Sequence, residues 1–337
     1  MTKVLVTGGA GFIGSHTTVA LVLAGFQPII FDNLENSSKQ VVRNISQITG
    51  TDIDFIKGDV RSYDDLSTVF NEHKIDAVIH FAGAKAVSES VTHPLKYYSA
   101  NVLGAINLIQ LMDQNSIFKL IFSSSATVYN DLNKPPFSEI SPTGNPTNPY
   151  GKTKLYIENI LNDMCFSDPR WSVSALRYFN PAGAHASGLI GENPAGIPAN
   201  LMPLIVQTAL GIREELKVFG SDYKTNDGTA VRDYIHVSDL ARGHLAALKH
   251  VITNTGFHIF NLGTGSGTSV LELIKTFENI NSVKIPWSYA DRRPGDVAES
   301  FADTGKAKSI LNWTAKKDIR AMCKDSWRFY RMLASHG

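Results

Sequence analysis

The residue pair best suited to chemistry is Tyr150 and Lys154, which lie four positions apart in Tyr-Gly-Lys-Thr-Lys. On a helix, side chains at this spacing share one face, and Pro149 is compatible with a helix that begins there. A tyrosine has an ordinary pKa of about 10, and a nearby positive charge favours its phenolate. A phenol tuned in this way accepts a proton from a hydroxyl group while a hydride leaves the same carbon atom.

Serine side chains precede this pair at the end of a predicted strand, in Ser123-Ser124-Ser125. We expect Ser125 to hydrogen-bond the reacting hydroxyl and to relay its proton. A tyrosine and a lysine at this spacing are also common on helix surfaces, without any chemical role. Their position after a glycine-rich loop and after the strand-end serines favours catalysis, with Tyr150, Lys154 and Ser125 as the catalytic residues.

The glycine-rich loop lies near the start of the chain, between the first predicted strand and the helix that follows. Gly8, Gly11 and Gly14 satisfy G-x-x-G-x-x-G, and the pattern G-x-G-x-x-G is also present from the second glycine onward. The first glycines permit a tight turn and close approach of a pyrophosphate, and the last lets helix and strand pack closely. Phe12 and Ile13 lie where the helix N-terminus presents unpaired N–H groups to phosphate. The loop therefore predicts a dinucleotide cofactor.

Acidic residues at strand ends predict which dinucleotide binds. Asp32 ends the second predicted strand, where a carboxylate accepts hydrogen bonds from an adenosine ribose and repels a 2′-phosphate. Asn33 follows, at a position where a basic residue would serve NADP, so the predicted cofactor is NAD. We expect Asp59 and Val60, after the third strand, to meet the adenine, and Lys85, after the next strand, to bind the nicotinamide ribose.

Strands and helices alternate along the chain and predict the sheet that must position these residues. The apolar segments predicted as strands are 4–7, 27–31, 54–57, 77–81, 119–123, 173–178, 233–237 and 257–262. The segments predicted as helices are 15–23, 62–72, 93–114, 150–164 and 238–250. This order favours an α/β fold, a doubly wound parallel sheet of the Rossmann type with right-handed crossovers.

The pattern changes after residue 180. Residues 181–200 are rich in Gly, Pro, Ala and Asn and have little periodicity, which indicates a loop, and such a long loop is usually functional or disordered. We predict an NAD-binding domain from 1–180 plus about 233–262. A smaller C-terminal α/β substrate domain is predicted from about 181–232 plus 263–337.

The composition argues against several classes of function. The 337 residues include 32 basic and 31 acidic side chains, for a net charge of +1, and without a basic stripe no nucleic-acid partner is expected. No apolar run approaches the roughly 18–20 residues that span a bilayer, and no signal peptide or membrane partner is expected. Cys165 and Cys323 are far apart and the histidines are scattered, so no metal site is expected. A cytoplasmic enzyme with free thiols is the simplest interpretation, with a disulfide left open.

Six segments together resemble the extended short-chain dehydrogenase/reductase family over nearly the whole chain. They are Val-Thr-Gly-Gly-Ala-Gly-Phe-Ile-Gly-Ser-His (6–16), His-Phe-Ala-Gly-Ala-Lys-Ala-Val (80–87), Phe-Ser-Ser-Ser-Ala-Thr-Val-Tyr (122–129), Leu-Arg-Tyr-Phe-Asn-Pro (176–181), Arg-Asp-Tyr-Ile-His-Val (232–237) and Arg-Arg-Pro-Gly-Asp (292–296). Within that family the set is most similar to the UDP-hexose 4-epimerases. The resemblance implies that Tyr150 deprotonates the sugar 4-hydroxyl while hydride passes to tightly bound NAD. The 4-keto sugar then turns over and regains the hydride on its other face, which interconverts UDP-galactose and UDP-glucose.

The resemblance also implies further site residues. Additional cofactor contacts are Phe81, Ala82, Asn101, Ser123 and Tyr178. The substrate contacts are Lys85, Ser125, Asn180, Asn200, Leu201, Lys217, Phe219, Arg232, Arg293, Asp296 and Ser300. The two arginines correspond to pyrophosphate contacts, which suit the arginine fork, while Phe219 lies near the uracil and Asp296 on its ribose. Relatives commonly dimerise through the tyrosine-bearing helix and the helix before it, so a homodimer is expected.

Two positions depart from the family pattern. Asn130 stands where glycine is usual after Val-Tyr, so the local turn is expected to differ. Ser300 stands where some relatives have a bulky tyrosine that walls the hexose pocket. The small side chain leaves room for a 2-N-acetyl group, so UDP-N-acetylglucosamine is a further expected substrate.

Three other functions stay open from the sequence. A sugar-nucleotide 4,6-dehydratase takes an acid and a base from an Asp-Glu pair, but Ala126 and Thr127 occupy those positions here. A reductase acting on a small alcohol leaves the Arg232 and Arg293 segments without a purpose. A catalytically silent dinucleotide-sensing protein does not require the serine, tyrosine and lysine together.

Overall fold

The computed structural model describes residues 2–129, 134–196, 198–293 and 296–335. Asn130 lies outside the described residues. The strands, in chain order, are β1 (Lys3–Thr7), β2 (Gln27–Asp32), β3 (Asp54–Lys57), β4 (Ala77–His80), β5 (Lys119–Ser125), β6 (Ser172–Tyr178), β7 (Asn180–Ala182), β8 (Leu216–Phe219), β9 (Val231–Arg232), β10 (Tyr234–His236), β11 (Gly256–Leu262), β12 (Thr268–Ser269), β13 (Trp287–Ala290) and β14 (Glu299–Ser300).

The helices surround these strands. In chain order they are α1 (Phe12–Leu23), α2 (Lys39–Thr49), α3 (Tyr63–Glu72), α4 (Val87–Thr92), α5 (Pro94–Tyr97), α6 (Gly104–Gln114), α7 (Pro149–Ser167), α8 (Leu201–Ala209), α9 (Val237–Thr253), α10 (Val270–Asn281), α11 (Gly305–Leu311) and α12 (Ile319–Ser335). Among the described residues, every helix is too short or too polar to cross a bilayer.

The large sheet confirms the predicted fold class. Its seven strands pair in the parallel order β11-β6-β5-β4-β1-β2-β3. Because strand side chains alternate between faces, Val4 and Val6 pack against α9 on one face, while Leu5 packs with residues of α3 and α6 on the other. Both faces are therefore buried under helices, and each fully buried Val or Leu contributes about 1.5–3 kcal/mol.

A separate hydrophobic cluster is formed by the later elements. It joins α8, β8, α10 and α12 through side chains that include Ile205, Val218, Ile274 and Phe329. Small sheets lie beside it, with β10 paired to β7 and β9 lying between β12 and β14. The segment 233–237 thus forms a strand of a small sheet rather than of the large one. The division into two domains stays a prediction.

One further detail differs from the sequence expectations, and a second settles an alternative that the sequence left open. The segment 93–114 is interrupted by a π-helical turn, Tyr98–Leu103, between α5 and α6; such turns are common at functional sites. Both cysteines are free thiols, which closes the disulfide alternative.

Candidate active site

The sequence-predicted residues gather at the carboxyl edge of the large sheet. Strand β1 lies between β2 and β4, so the chain leaves β1 toward β2 on one side and returns from β3 to β4 on its other side. The strand order reverses at β1, and open α/β sheets bind their ligands beyond the strand ends at such a reversal. The glycine loop follows β1, Asp32 ends β2, and Ser125 and Tyr178 end β5 and β6, with these last two in register.

The glycine loop has the shape that a pyrophosphate requires. Gly8 has φ +72°, and a Cβ atom there would lie 2.7 Å from the Ala82 backbone nitrogen. A Cβ atom on Gly14 would collide with the Gly8 carbonyl oxygen and lie 2.8 Å from the Gly9 Cα atom. Among the described residues, no side chain caps α1, which begins after Gly11. The N–H groups of its first turn therefore face a cradle that only glycine leaves open.

Asp32 connects the loop to the end of β2. Its Oδ2 atom accepts a hydrogen bond from the Ala10 backbone N–H at 3.1 Å, while Oδ1 accepts from Leu34 N–H and Ser37 Oγ, both at 2.9 Å. The carboxylate is thus oriented by three donors, beside the turn where a ribose would lie.

Asn33 and Asp59 are brought together, as an adenosine site requires. Asn33 Nδ2 donates to Asp59 Oδ2 at 2.9 Å, and Arg61 Nε donates to Asp59 Oδ1 at the same distance. The Arg61 hydrogen bond is the main reason why the pKa of Asp59 lies well below its ordinary value. Sequence reasoning did not include Arg61, which already occupies both carboxylate oxygens. Val60 is buried beside this carboxylate.

Helix α7 places the tyrosine and the lysine. Asn148 caps it, with its Oδ1 atom accepting from Gly151 N–H at 2.9 Å, and Pro149 opens the first turn. Lys154 is buried, and its Nζ atom donates to the Ser123 carbonyl oxygen at 2.7 Å. The same Nζ atom lies 5.9 Å from the centre of the Tyr150 ring. The predicted pair therefore shares one face, against the end of β5.

The electrostatics differ from the sequence expectation. Burial raises the pKa of Tyr150, although hydrogen bonding with Ser125 opposes this effect. Burial also lowers the pKa of Lys154 to about 8, against the attraction of Glu158. The chain's own groups thus do not produce the lowered phenol pKa that we expected from Lys154, because desolvation outweighs them. Burial, and then the charge of Lys154, lower the pKa of the nearby His80 to about 3, so its imidazole is neutral.

Ser125 and Tyr178 complete this edge. Ser125 Oγ accepts from Thr127 N–H at 3.2 Å and from Thr127 Oγ1 at 3.0 Å, so its own proton is available to another acceptor. His244 Nδ1 donates to the Leu240 carbonyl at 2.9 Å, and burial lowers its pKa to about 4. The neutral imidazole therefore accepts, through Nε2, the hydrogen of the Tyr178 hydroxyl at 3.3 Å. This bond fixes the Tyr178 ring, and the Phe81 ring also contacts His244.

A carboxylate that sequence reasoning missed joins two predicted contacts. The Oε1 atom of Glu192 accepts from Lys85 Nζ at 2.9 Å and from Asn200 Nδ2 at 2.7 Å. The Glu192 backbone carbonyl accepts from the Tyr330 hydroxyl at 2.8 Å. The only sequence signal for Glu192 was its place in the loop 181–200. The structure therefore connects the loop after β4 to the N-terminus of α8.

A second group joins residues that are widely separated in sequence. Asp296 accepts from Arg293 Nε at 2.9 Å and lies 3.9 Å from Arg232 Nη2. The Arg293 guanidinium lies 4.9 Å from the centre of the Phe219 ring. Burial lowers the pKa of Arg232 in spite of Asp296. Arg232 is thus a desolvated cation, and the carboxylate that pairs with it among the described residues is shared with Arg293.

A family model matches most of the chain. Residues 4–263 match the model described as the NAD dependent epimerase/dehydratase family. The chain belongs to the NAD dependent epimerase/dehydratase family. The family agrees with the resemblance seen in the sequence.

Individual members of the epimerase/dehydratase family are similar to the chain over its full length. UDP-glucose 4-epimerase of Bacillus subtilis is 53% identical over 326 residues, covering 97% of this chain and 96% of the relative. The crystal structure of UDP-glucose 4-epimerase from Bifidobacterium longum in complex with NAD⁺ and UDP has a TM-score of 0.96, 48% identity and full coverage of both chains. The UDP-Glc/GlcNAc 4-epimerase of Campylobacter jejuni has a TM-score of 0.86 and 35% identity, covering 98% of this chain and 100% of that one.

The remaining predicted residues occupy supporting or peripheral positions in this epimerase/dehydratase fold. Asn101, in the π-helical turn, spends both amide hydrogens on the Ala84 carbonyl and Thr153 Oγ1, so it holds the Lys85 loop against α7. Lys217 donates to Ser288 Oγ at 2.8 Å and also pairs with Glu215. The others lie beside elements already described: Asn180 at the start of β7, Leu201 at the start of α8 and Ser300 on β14.

Proposed function

We propose that this protein is a UDP-glucose 4-epimerase, which interconverts UDP-galactose and UDP-glucose through a 4-keto intermediate. The observation that carries the proposal is the joint presence of the Tyr150–Lys154–Ser125 group at the sheet edge and Arg232, which is 16% exposed, with its neighbours. The first group suits reversible oxidation of a hydroxyl, and the second suits a nucleoside diphosphate. Relatives at about half identity over nearly the whole chain have this name.

The residues present fit NAD as the bound cofactor. The cradle at Gly8 and Gly14 leaves room for a pyrophosphate, and Asp32 presents a carboxylate toward a ribose hydroxyl. Lys154, with its pKa near 8, and Lys85 supply cationic donors on the nicotinamide side. When bound, the dinucleotide supplies reversible hydride acceptance at C4 of the hexose.

The proton of the sugar 4-hydroxyl passes to Tyr150. The C4–O4 single bond becomes a carbonyl as O4 loses its proton to the phenolate oxygen and C4 loses its hydride. Ser125 hydrogen-bonds O4, since Thr127 occupies its acceptor side and leaves its own hydrogen to donate. Burial raises the pKa of Tyr150, so the phenolate needs cationic neighbours, and Lys154 is one that the chain provides. The cycle ends when C4 regains the hydride on its other face and O4 regains the proton from Tyr150.

Firm binding of UDP lets the keto sugar turn over without escaping. Arg232 and Arg293 hold the pyrophosphate, since a guanidinium fork matches phosphate oxygens. Phe219 stacks beside the uracil and Asp296 binds its ribose, while Asn180, Asn200 and Leu201 border the sugar. The set 181–232 plus 263–337 would then be the UDP-sugar-binding domain.

Dehydration across C5–C6 is not favoured. Ala126 has no ionisable group, and Thr127 donates its hydroxyl hydrogen to Ser125 at 3.0 Å. Neither side chain supplies the acid and base that the elimination requires.

Incubating the purified protein with UDP-galactose, without added NAD, tests the proposal. UDP-glucose is the expected product, and Tyr150→Phe is expected to lose at least about 100-fold in kcat. A 4-keto-6-deoxy product, or no reaction even with NAD supplied, would overturn the proposal.

A second substrate is proposed from Ser300. Ser300 pairs in register with Arg232 in the parallel strands β14 and β9, which places the small side chain beside the proposed pyrophosphate contact. A relative with a TM-score of 0.86 is a UDP-Glc/GlcNAc 4-epimerase. We expect UDP-N-acetylglucosamine to be epimerised, and Ser300→Tyr to lose this activity alone. The idea is wrong if the unmodified enzyme does not turn over the N-acetyl sugar.

We also propose a cytoplasmic homodimer. Apolar side chains are exposed along α4, α5 and α7, including Val91 at 60%, Leu95 at 81% and Tyr156 at 45% exposure, and they suit an isologous interface. The free thiols suit a reducing compartment. Sedimentation at several protein concentrations and cell fractionation test the two statements.

A further inference from the structure

A buried ion pair lies directly behind the catalytic edge. Arg177, on β6, donates through Nε to Glu158 Oε1 at 3.0 Å and through Nη2 to Glu158 Oε2 at 2.5 Å. Both side chains are 3% exposed. Glu158 lies one helical turn after Lys154 on α7, on the same face, and both residues are buried.

The same carboxylate contacts the strand that carries the serines. Ser124 Oγ donates to Glu158 Oε1, while the neighbouring Ser123 carbonyl accepts from Lys154. Arg177 is held from its other side by the Tyr129 ring, 4.8 Å away. Glu158 is therefore hydrogen-bonded to β5 and β6 and lies one helical turn from the lysine, yet the proposed reaction has no step for it.

We infer that Glu158 is a positioning residue that holds the end of β5 and supplies the negative charge that keeps Lys154 an ammonium ion. This inference rests on the proposed role of Tyr150 and Lys154. A buried ammonium ion is costly without a nearby opposite charge. The attraction of Glu158 opposes the fall in the Lys154 pKa that burial causes. Arg177 in turn donates to both carboxylate oxygens of Glu158, which holds the carboxylate in place.

The other titratable groups near Lys154 do not supply this charge. His80, from β4, has a pKa of about 3 and is neutral in the working range. Tyr150, on α7, and Tyr178, on β6, both have raised pKa values because of burial. Within the described part of the chain, Glu158 is the carboxylate whose charge acts on the lysine.

The test is the alkaline limb of the pH profile of kcat/KM for UDP-galactose, measured with the NAD-loaded enzyme. Because activity requires the Lys154 ammonium, Glu158→Gln is expected to move the limb to lower pH by about one unit. Glu158→Gln leaves Arg177 buried without its partner, so Glu158→Gln/Arg177→Met serves as a second variant and is expected to show the same shift. Arg177→Met alone retains the carboxylate and is expected to leave the limb in place or raise it.

If Glu158 served only folding, Glu158→Gln and Arg177→Met would either both shift the alkaline limb to lower pH or both leave it in place. Either result would overturn the inference. Tyrosinate absorbance provides a readout independent of turnover, as the difference between each variant and its Tyr150→Phe counterpart. Glu158→Gln is expected to raise the pKa measured in this way, and an unchanged value counts against the inference. Absence of epimerase activity in the unmodified protein counts instead against the proposed function.

Discussion

Replacing Arg232 by methionine separates the stability of the protein from its affinity for UDP. The guanidinium side chain is 16% exposed, and burial lowers its pKa. Its Nη1 atom donates to the carbonyl oxygens of Val231 and Val297, both at 2.9 Å, while Asp296 lies 3.9 Å from Nη2 and also pairs with Arg293. The protein thus holds a desolvated cation whose charge is only partly balanced.

Arg232→Met is expected to weaken UDP binding strongly and to change the stability of the protein only slightly. A hydrogen bond to a charged group is worth about 1.5–3 kcal/mol, so loss of the fork to a pyrophosphate weakens UDP binding by about 100-fold. Methionine retains the apolar volume and removes the desolvation cost, which offsets the two lost hydrogen bonds to carbonyls. The Tm of the protein without UDP is therefore expected to stay within a few degrees of the unmodified value.

Calorimetric titration of the NAD-loaded protein with UDP measures the affinity, and thermal unfolding with and without UDP measures the stability. Arg292→Met is the matched control, because the Arg292 guanidinium is exposed, pairs with Asp222 at 2.7 Å and stacks on Tyr223. The control is expected to change UDP affinity by less than about threefold. Equal weakening in both variants, or a large loss of stability with unchanged affinity in Arg232→Met, would refute the reasoning.

Two other substitutions test the remaining parts of the site. Gly14→Ala places a Cβ atom against the Gly8 carbonyl oxygen and 2.8 Å from the Gly9 Cα atom. The substitution is expected to lower the free energy of unfolding by about 2–4 kcal/mol, measured by denaturation. It is also expected to abolish NAD retention, measured as the nucleotide extracted after purification. Glu192→Gln removes the carboxylate charge that Lys85 and Asn200 share. We expect about tenfold faster NAD loss together with a raised KM for UDP-galactose. A change in only one of these two quantities would show that Glu192 does not couple the cofactor site to the substrate site.

Local patterns were sufficient for the elements that carry the cofactor site. The strand prediction at 54–57 agrees with β3, and the helix prediction at 62–72 agrees with α3 to one residue, because apolar periodicity and a serine cap are local properties. The glycine spacing predicted the loop between β1 and α1 for the same reason, since a tight turn followed by a helix is determined by adjacent residues. The small sheets were not predicted, because their strands of two to four residues contain too few alternations to reveal a period.

The sequence alone determined the family, the parallel sheet and the spacing of Tyr150 and Lys154, since each depends on residues close together in the chain or on ordered motifs. Only the tertiary structure decided which distant residues meet: Asp296 with Arg232, Glu192 with Lys85, and Arg177 with Glu158. It also decided the protonation balance at Tyr150, because the desolvation that raises a phenol pKa depends on everything packed around the ring and not on the lysine one turn away.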